Sequence, residues 1–262
     1  MDLGLGGKTV LITGGSRGIG YATARVFASE GTDLHLVSRT REDLERARNA
    51  IRSEFPVAVD IHVADLSSGE QILAVAHACA DADILVNNAG AIPLGTLLDV
   101  DDETWRTAWD LKLFGYITMI RAMYAEMKAR GRGVIVNNIG TAGDQKPSGY
   151  AAGVTANGAL VTLTRALGGT SLDDGIRVLG ISPGDMENDR GIMALKHHAL
   201  KRFGDSDRWR ELMSGMPGGS LPVSADMADA IVFLASPRAR FISGVVLTID
   251  GGMCARQAVI GG

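Results

Sequence analysis

The chain has 262 residues, of which 46% are hydrophobic and 21% charged, with 34 glycines and only 7 prolines. This composition is typical of a soluble, globular α/β protein with many tight turns, and it excludes a disordered chain. The formal net charge of −4 gives no broad positive field, so nucleic acid and anionic membrane surfaces are not expected as partners.

Signals for export, membrane insertion or metal binding are not found in the sequence. Residues 1–8 carry no basic segment of the kind that opens a signal peptide, and no apolar run approaches the roughly 18 residues of a membrane span, so a cytoplasmic location is predicted. Cys79 and Cys254 lie far apart without metal-ligand spacing. We therefore expect buried or incidental thiols in a reducing compartment, and no metal site.

Short hydrophobic runs alternate with longer amphipathic segments along most of the chain. This alternation predicts repeated strand–helix units around a parallel sheet. No linker or repeat interrupts it, so residues 1–262 are predicted to form a single-domain, Rossmann-like, doubly wound α/β fold. The seven predicted strands are Thr9–Thr13, Leu34–Ser38, Val57–Val63, Ile84–Asn87, Val134–Asn138, Arg177–Ile181 and Val245–Ile249. Predicted helices include Tyr21–Glu30, Arg41–Glu54, Thr104–Arg130 and Ala152–Leu167.

One interval, about residues 185–223, is longer than the short connection that the pattern predicts. Long insertions near the carboxyl edge of a parallel sheet often cover a substrate, so this interval is predicted to be a lid. Its basic and aromatic residues are Lys196, His197, His198, Lys201, Arg202, Phe203, Trp209 and Arg210.

A glycine-rich turn follows the first predicted strand. Thr13 to Gly20 reads TGGSRGIG, and an amphipathic helix follows directly. Glycines allow the backbone to approach a pyrophosphate closely, and the free N–H groups at the start of the helix favour an anion. The spacing differs from the GxGxxG dinucleotide fingerprint, so the turn alone leaves a simple tight turn as an alternative.

Taken with four further motifs, this turn resembles the short-chain dehydrogenase/reductase family. The turn matches the family's TGxxxGxG, Asn87 to Gly90 match its NNAG, and Pro183-Gly184 match its proline–glycine pair. Asp65 stands where the family's adenine-contacting aspartate does, and Ser243-Gly244 and Asp250-Gly251-Gly252 match its closing residues. The resemblance extends over about the whole chain, in order and at family spacing.

The resemblance implies an oxidoreductase that binds a nicotinamide dinucleotide and a small-molecule substrate. It also implies a homo-oligomer, a dimer or a tetramer, paired through the predicted helices Thr104–Arg130 and Ala152–Leu167. The residues it places against the cofactor are Gly14, Ser16, Arg17, Gly18, Ile19, Gly20, Ser38, Arg39, Asp65, Leu66, Asn88, Ala89, Gly90, Asn157, Pro183 and Gly184.

The residues after the second strand favour NADP(H), with NAD(H) as the alternative. An NAD site usually places a carboxylate there to bind the ribose 2′-hydroxyl, but this chain has Ser38. Arg39 follows it, and Arg17 lies in the glycine turn. Two guanidiniums suit a 2′-phosphate, although both arginines could instead be solvated surface charges.

The family's catalytic Asn, Ser, Tyr and Lys are replaced in this chain. In the family, the tyrosine exchanges a proton with the substrate, the lysine lowers its pKa, the serine orients the carbonyl and the asparagine holds a water. Anchored on residues 158–165, the resemblance maps the lysine to Asn157, the tyrosine to Gly153 and the serine to Gly140. The family asparagine maps to Lys112. Lysine and asparagine have thus exchanged places.

We therefore predict a rearranged catalytic set of Lys112, Tyr150, Thr141 and Asn157. Tyr150 lies one turn before Gly153, and Thr141 directly follows the serine position. Each has a plainer alternative: a surface lysine, a loop aromatic packed on the lid, or a threonine that caps a turn.

Three functions fit these residues. The first is an NADP(H)-dependent oxidoreductase that interconverts an alcohol and a carbonyl. The second is a non-redox, lyase-type enzyme on the same scaffold, with Lys112 as base or electrophile. The third is a cofactor-binding protein without catalysis. The retained cofactor motifs favour the first, and the missing Ser, Tyr and Lys favour the other two.

Overall fold

Seven parallel strands form one sheet in the computed structural model, which describes residues 2–141 and 147–256. The strand order is β3-β2-β1-β4-β5-β6-β7, so the connection reverses direction between β1 and β4. In such sheets, ligands bind at the carboxyl edge beside that reversal. The strands are β1 Thr9–Thr13, β2 Asp33–Ser38, β3 Val59–Val63, β4 Ile84–Asn87, β5 Gly133–Asn138, β6 Ile176–Pro183 and β7 Val246–Ile249. The predicted doubly wound, seven-stranded α/β fold is confirmed.

Helices cover both faces of the sheet. The buried faces of α1, α2 and α8 share one apolar core, and those of α3, α5 and α6 share a second core on the opposite face. No helix among residues 2–141 and 147–256 is long and apolar enough to cross a membrane. The helices are α1 Gly18–Ser29, α2 Arg41–Glu54, α3 Gly69–Ala78, α4 Asp102–Trp109, α5 Gly115–Arg130, α6 Ala151–Gly168, α7 Asp189–Phe203 and α8 Ser224–Ala235.

The prediction of one regular helix over Thr104–Arg130 is wrong in its middle. A π-helical segment, Asp110–Phe114, separates α4 from α5. The next residue, Gly115, packs so closely on the loop after β3 that an added Cβ would lie 2.7 Å from the carbonyl oxygen of Leu66. A wider turn changes the direction in which side chains leave the helix, and such turns are frequent at functional sites. Lys112 lies in this segment.

The predicted lid interval is largely helical and has a small core of its own. It contains α7 and a 3₁₀ segment, Ser206–Gly215. Its buried apolar residues form a cluster separate from the two main cores: Leu195, Ala199, Trp209 and Leu221. The interval is therefore a small folded segment that follows β6 in the chain and has its own apolar cluster.

Candidate active site

The glycine turn after β1 leaves backbone donors open at the carboxyl edge of the sheet. Gly14 and Gly18 have φ of +66° and +57°, which glycine adopts without strain. A Cβ on Gly20 would lie 2.2 Å from the carbonyl oxygen of Gly14, so the first turn of helix α1 packs closely on the glycine turn. The N-cap of α1, Arg17, makes no capping hydrogen bond with its side chain. The free N–H groups there suit a phosphate.

Asn88, the first residue after β4, is hydrogen-bonded to this glycine turn. Its side-chain amide donates to the carbonyl oxygens of Thr13 (3.0 Å) and Gly14 (3.2 Å). Thr13 Oγ1 accepts from the backbone N–H groups of Asn88 (2.8 Å) and Ala89 (3.1 Å). Asn138 at the end of β5 donates to Asn88 Oδ1 at 2.8 Å. Hydrogen bonds therefore join three strand ends around the turn.

The ends of β2 and β3 bring Ser38, Arg39 and Asp65 to one edge. Ser38 pairs in register with Val63, two residues before Asp65. Hydrogen bonds from the Ser67 backbone and hydroxyl hold the pKa of Asp65 below its usual value, and the charge of Arg39 acts in the same direction. Arg39 and Arg17 are both exposed, which fits a pair of 2′-phosphate ligands and solvated surface charges equally. Leu66, which follows Asp65, is buried.

Lys112 is buried in the π-helical segment, with only 7% of its surface exposed. The alternative that it is a surface lysine is therefore wrong. Its Nζ donates to the carbonyl oxygen of Asn138 at 2.7 Å and to the phenol oxygen of Tyr116 at 2.9 Å. Trp109 Nε1 donates to the carbonyl oxygen of Ala152 at 3.0 Å, which holds the π-helical segment against the start of α6 beside Tyr150.

Tyr116 is a residue of this site that the sequence analysis missed. Its phenol is fully buried, donates to the Asn138 carbonyl oxygen at 2.9 Å, and has its pKa raised by that burial. The phenol therefore stays protonated and positions the Lys112 ammonium. Its place four residues after Lys112, on the same helix face, is the signal that could have identified it.

Three glycines each make room for one of the predicted catalytic side chains. An added Cβ at Gly153 would lie 2.0 Å from Cε1 and Cζ of Tyr150, so the ring of Tyr150 covers that position. A Cβ at Gly90 would lie 2.8 Å from Cδ of Lys112. At Gly140, where φ is +133°, a Cβ would lie 3.0 Å from Nδ2 of Asn157. The prediction that loss of a side chain at position 153 leaves room for Tyr150 agrees with this packing.

Thr141 lies beside the end of β6. Thr141 is 5% exposed, and its backbone N–H donates to the carbonyl oxygen of Pro183 at 2.8 Å. Pro183 ends β6 instead of following it, two residues beyond the predicted strand end at Ile181. Gly184 donates its N–H to the Ile249 carbonyl oxygen at 3.0 Å. The predicted residues from β5 and β6 thus meet at adjacent strand ends.

These features together fit a nicotinamide dinucleotide. The glycine turn and the open end of α1 would take the pyrophosphate, and Ser38, Arg39 and Asp65 would take the adenosine end. Towards Lys112, the buried Oδ1 atoms of Asn138 and Asn157 have no hydrogen-bond partner among the described residues. Buried polar atoms are rarely left unsatisfied, so these two acceptors point to a bound polar group.

The sequence itself places the chain in a family. The family model described as short chain dehydrogenase matches residues 8–196. The chain belongs to the short-chain dehydrogenase family. The matched range contains the glycine turn, Asn88, Lys112, Tyr150 and Asn157.

Relatives within the short-chain dehydrogenase family match along nearly the whole chain. Galactitol 2-dehydrogenase (L-tagatose-forming) of Cereibacter sphaeroides is 32% identical over 250 residues, 95% of each chain. L-Xylulose reductase of Cavia porcellus is 31% identical over 97% of this chain and 100% of that protein. The solved structure of L-sorbose reductase from Gluconobacter frateurii with NADPH and L-sorbose superposes with a TM-score of 0.90, at 31% identity over 98% and 100% of the two chains. The predicted short-chain dehydrogenase-type oxidoreductase, dependent on NADP(H) or NAD(H), is confirmed.

The packing of Tyr150 over Gly153 can be tested by comparing alanine substitutions at two glycines of helix α6. We expect Gly153→Ala to push the ring of Tyr150 out of its place and to lower kcat by about tenfold or more, because misplacing a catalytic group by about 1 Å is costly. Gly158→Ala is the matched control, since a Cβ there meets nothing within 4 Å. It should keep full activity and add up to about 1 kcal/mol of stability. Equal activity in the two variants, measured by NADPH oxidation, would contradict the placement of Tyr150.

Proposed function

We propose that this short-chain dehydrogenase interconverts a secondary alcohol and a ketone on a sugar or polyol, with NADP(H) as cofactor. The observation that carries the proposal is the continuous hydrogen-bonded path from the glycine turn through Asn88 and Asn138 to the buried Lys112. The glycine turn is thereby connected to a buried lysine, and the Tyr150 phenol lies at the start of α6. That combination serves alcohol–carbonyl chemistry.

The substrate class rests on the relatives. Galactitol, xylulose, sorbose and rhamnose all stand in the names of similar proteins, and each is an open-chain or ring-opening polyhydroxy compound. The 3-oxoacyl-[acyl-carrier-protein] reductase of Vibrio harveyi is 31% identical over 96% of this chain. A 3-oxoacyl thioester is therefore the competing substrate class.

In the proposed mechanism, a nicotinamide dinucleotide held by the glycine turn and the ends of β2 and β3 would supply the hydride donor or acceptor. The Tyr150 phenol passes the accompanying proton to or from the substrate oxygen. Lys112 supplies a fixed positive charge near that oxygen, held by Tyr116 and by the Asn138 carbonyl group. Asn157 offers its side-chain amide and Thr141 a hydroxyl to the polar atoms that surround the reacting group.

The other two functions considered from the sequence are not favoured. A lyase or an inactive cofactor-binding protein would account for the missing family residues. The similar proteins that carry functional names are, however, dehydrogenases or reductases, and those in solved complexes bind NADPH or NAD⁺. The buried Lys112 also gives the site a cation despite those losses.

The interval of residues 185–223 acts in this proposal as the substrate lid of one continuous domain. A groove between α7 and the following 3₁₀ segment is lined by His198, Lys201, Arg202 and Asp185, which lies directly after Gly184. The groove therefore adjoins the end of β6, where the candidate active site lies. Leu195, Leu212 and Met216 line the rest of the groove, so its lining is mixed, with the charged residues available to hydroxyl groups of a substrate.

The preference for NADP(H) is tested at Arg39. We expect Arg39→Asp to shift the ratio of the two dissociation constants towards NAD(H) by at least tenfold, about 1.4 kcal/mol, because a carboxylate repels the 2′-phosphate. Arg17→Ser should weaken NADP(H) binding more than NAD(H) binding. Arg52→Asp, at the far end of α2, is the control for a general change of charge. An unchanged ratio in both Arg39→Asp and Arg17→Ser, measured by fluorescence titration, would refute the assignment.

The reaction and its proton carrier are tested together with a substrate panel. NADPH oxidation is followed with L-sorbose, L-xylulose and a 3-oxoacyl thioester, and we expect turnover with at least one of the two ketoses. Tyr150→Phe should then lose roughly two orders of magnitude in kcat. Tyr124→Phe is the control, because its hydroxyl contacts Asp174, away from the site. Turnover of the thioester alone would overturn the sugar assignment, and an active Tyr150→Phe would overturn the role of the phenol.

Oligomeric state is a further prediction, as is the cytoplasmic location. We expect a dimer or a tetramer, with the helices of residues 102–130 and 151–168 at subunit interfaces, as the family resemblance implies. Sedimentation velocity at micromolar concentration checks the state. A monomer at every concentration tested would contradict the prediction.

A further inference from the structure

We propose that His35, His62, Cys79 and Asp60 form a binding site for a zinc ion. The ligand atoms of His35, His62 and Cys79 all lie within 4.8 Å of one another. His35 Nδ1 is 3.0 Å from His62 Nε2, and His62 Nε2 is 3.5 Å from Cys79 Sγ. This cluster lies between β2, β3 and the end of α3, on the sheet face that carries α3.

These separations match a tetrahedral zinc site. With Zn–N bonds of about 2.0 Å and Zn–S bonds of about 2.3 Å, neighbouring ligand atoms are roughly 3.3 to 3.5 Å apart. Two of the three pairs already have that spacing. The third requires a contraction of little more than 1 Å, which rotation of the side chains can supply.

Asp60 is the fourth ligand of the proposed site. It pairs in register with His35, and Val37 pairs with His62, so the three polar residues project from adjacent parallel strands on one face. Asp60 Oδ2 lies 4.0 Å from His35 Nδ1.

The Cys79 thiol is the ligand that must lose a proton when zinc binds. Burial raises the pKa of the Cys79 thiol to about 12, with the charges of Asp81 and Asp60 acting in the same direction. Zinc would bind by displacing the thiol proton to solvent, and the resulting thiolate would be neutralised by the ion.

A zinc ion here would join the edge strand β3 to β2 and α3. The expectation from the sequence, no metal site, rested on the spacing of Cys79 from Cys254. The ligands proposed here are 27 and 17 residues apart on separate elements, which no short spacing pattern records. The site is structural in kind, since four protein ligands leave no open position for a substrate.

Cobalt and zinc binding to the untagged, chelator-treated protein tests the proposal. We expect a single Co²⁺ per chain with a thiolate-to-cobalt charge-transfer band, displaced by one equivalent of Zn²⁺. Cys79→Ser should abolish the band, and Cys79→Ser and His62→Gln should each weaken Zn²⁺ binding at least about 100-fold. Asp60→Asn, at an exposed position, should weaken it about tenfold without affecting folding.

Two matched controls come from the same chain. Cys254→Ser removes the exposed cysteine, and His77→Gln removes an exposed histidine of α3. Both should bind Co²⁺ and Zn²⁺ as the unchanged protein does. Three results would overturn the proposal. The first is absence of the charge-transfer band in the unchanged protein, and the second is its loss in Cys254→Ser. The third is a Zn²⁺ affinity that is the same in the unchanged protein, in Asp60→Asn and in a folded Cys79→Ser or His62→Gln protein.

Discussion

The buried ammonium of Lys112 is the interaction on which the candidate active site depends. Moving a charged amine out of water costs several kcal/mol unless hydrogen bonds replace the lost solvent. Here the Asn138 carbonyl oxygen and the Tyr116 phenol accept from it at 2.7 and 2.9 Å. Both acceptors are themselves buried, so the ammonium is fixed in direction, and a fixed charge can stabilise a developing negative charge without reorganisation.

The backbone around this lysine is shaped to accept it. The π-helical segment turns the Lys112 side chain inwards, and the absence of a side chain at Gly90 leaves a path for its stem. The same principle applies at Gly153, which makes room for the ring of Tyr150, and at Gly140, which adjoins Asn157. Under the mapping that the family resemblance implies, Gly153 and Gly140 stand at the tyrosine and serine positions, and each adjoins a neighbouring side chain of the predicted set.

The sequence predicted the strands of the sheet closely. All seven strands lie within about two residues of their predicted bounds, because a buried parallel strand is a short, nearly continuous hydrophobic run with few alternatives. The glycine turn, Asn88 and Asp65 were placed by the family resemblance, and the structure brings all three to the carboxyl edge of the sheet.

The features that the sequence did not predict arise from tertiary packing. A π-helical segment has no periodicity that separates it from a regular helix over five residues, and here it is followed by Gly115, which packs against the Leu66 carbonyl group. The sequence analysis did not single out Tyr116, which lies inside the predicted helix Thr104–Arg130. Its hydrogen bonds to Lys112 and Asn138 depend on β5 ending beside that helix, which only the assembled sheet determines.

The most direct test of this account is the rate of a single turnover of Lys112→Met at saturating NADPH and ketose. Methionine keeps most of the apolar stem and removes the charge, so the fold should stay intact by circular dichroism and thermal melting. We expect the rate to fall by about two orders of magnitude or more. Lys128→Met, which removes an exposed lysine paired with Asp174, should leave the rate unchanged. A folded Lys112→Met protein with the full rate would contradict the central claim that this buried cation serves the reaction.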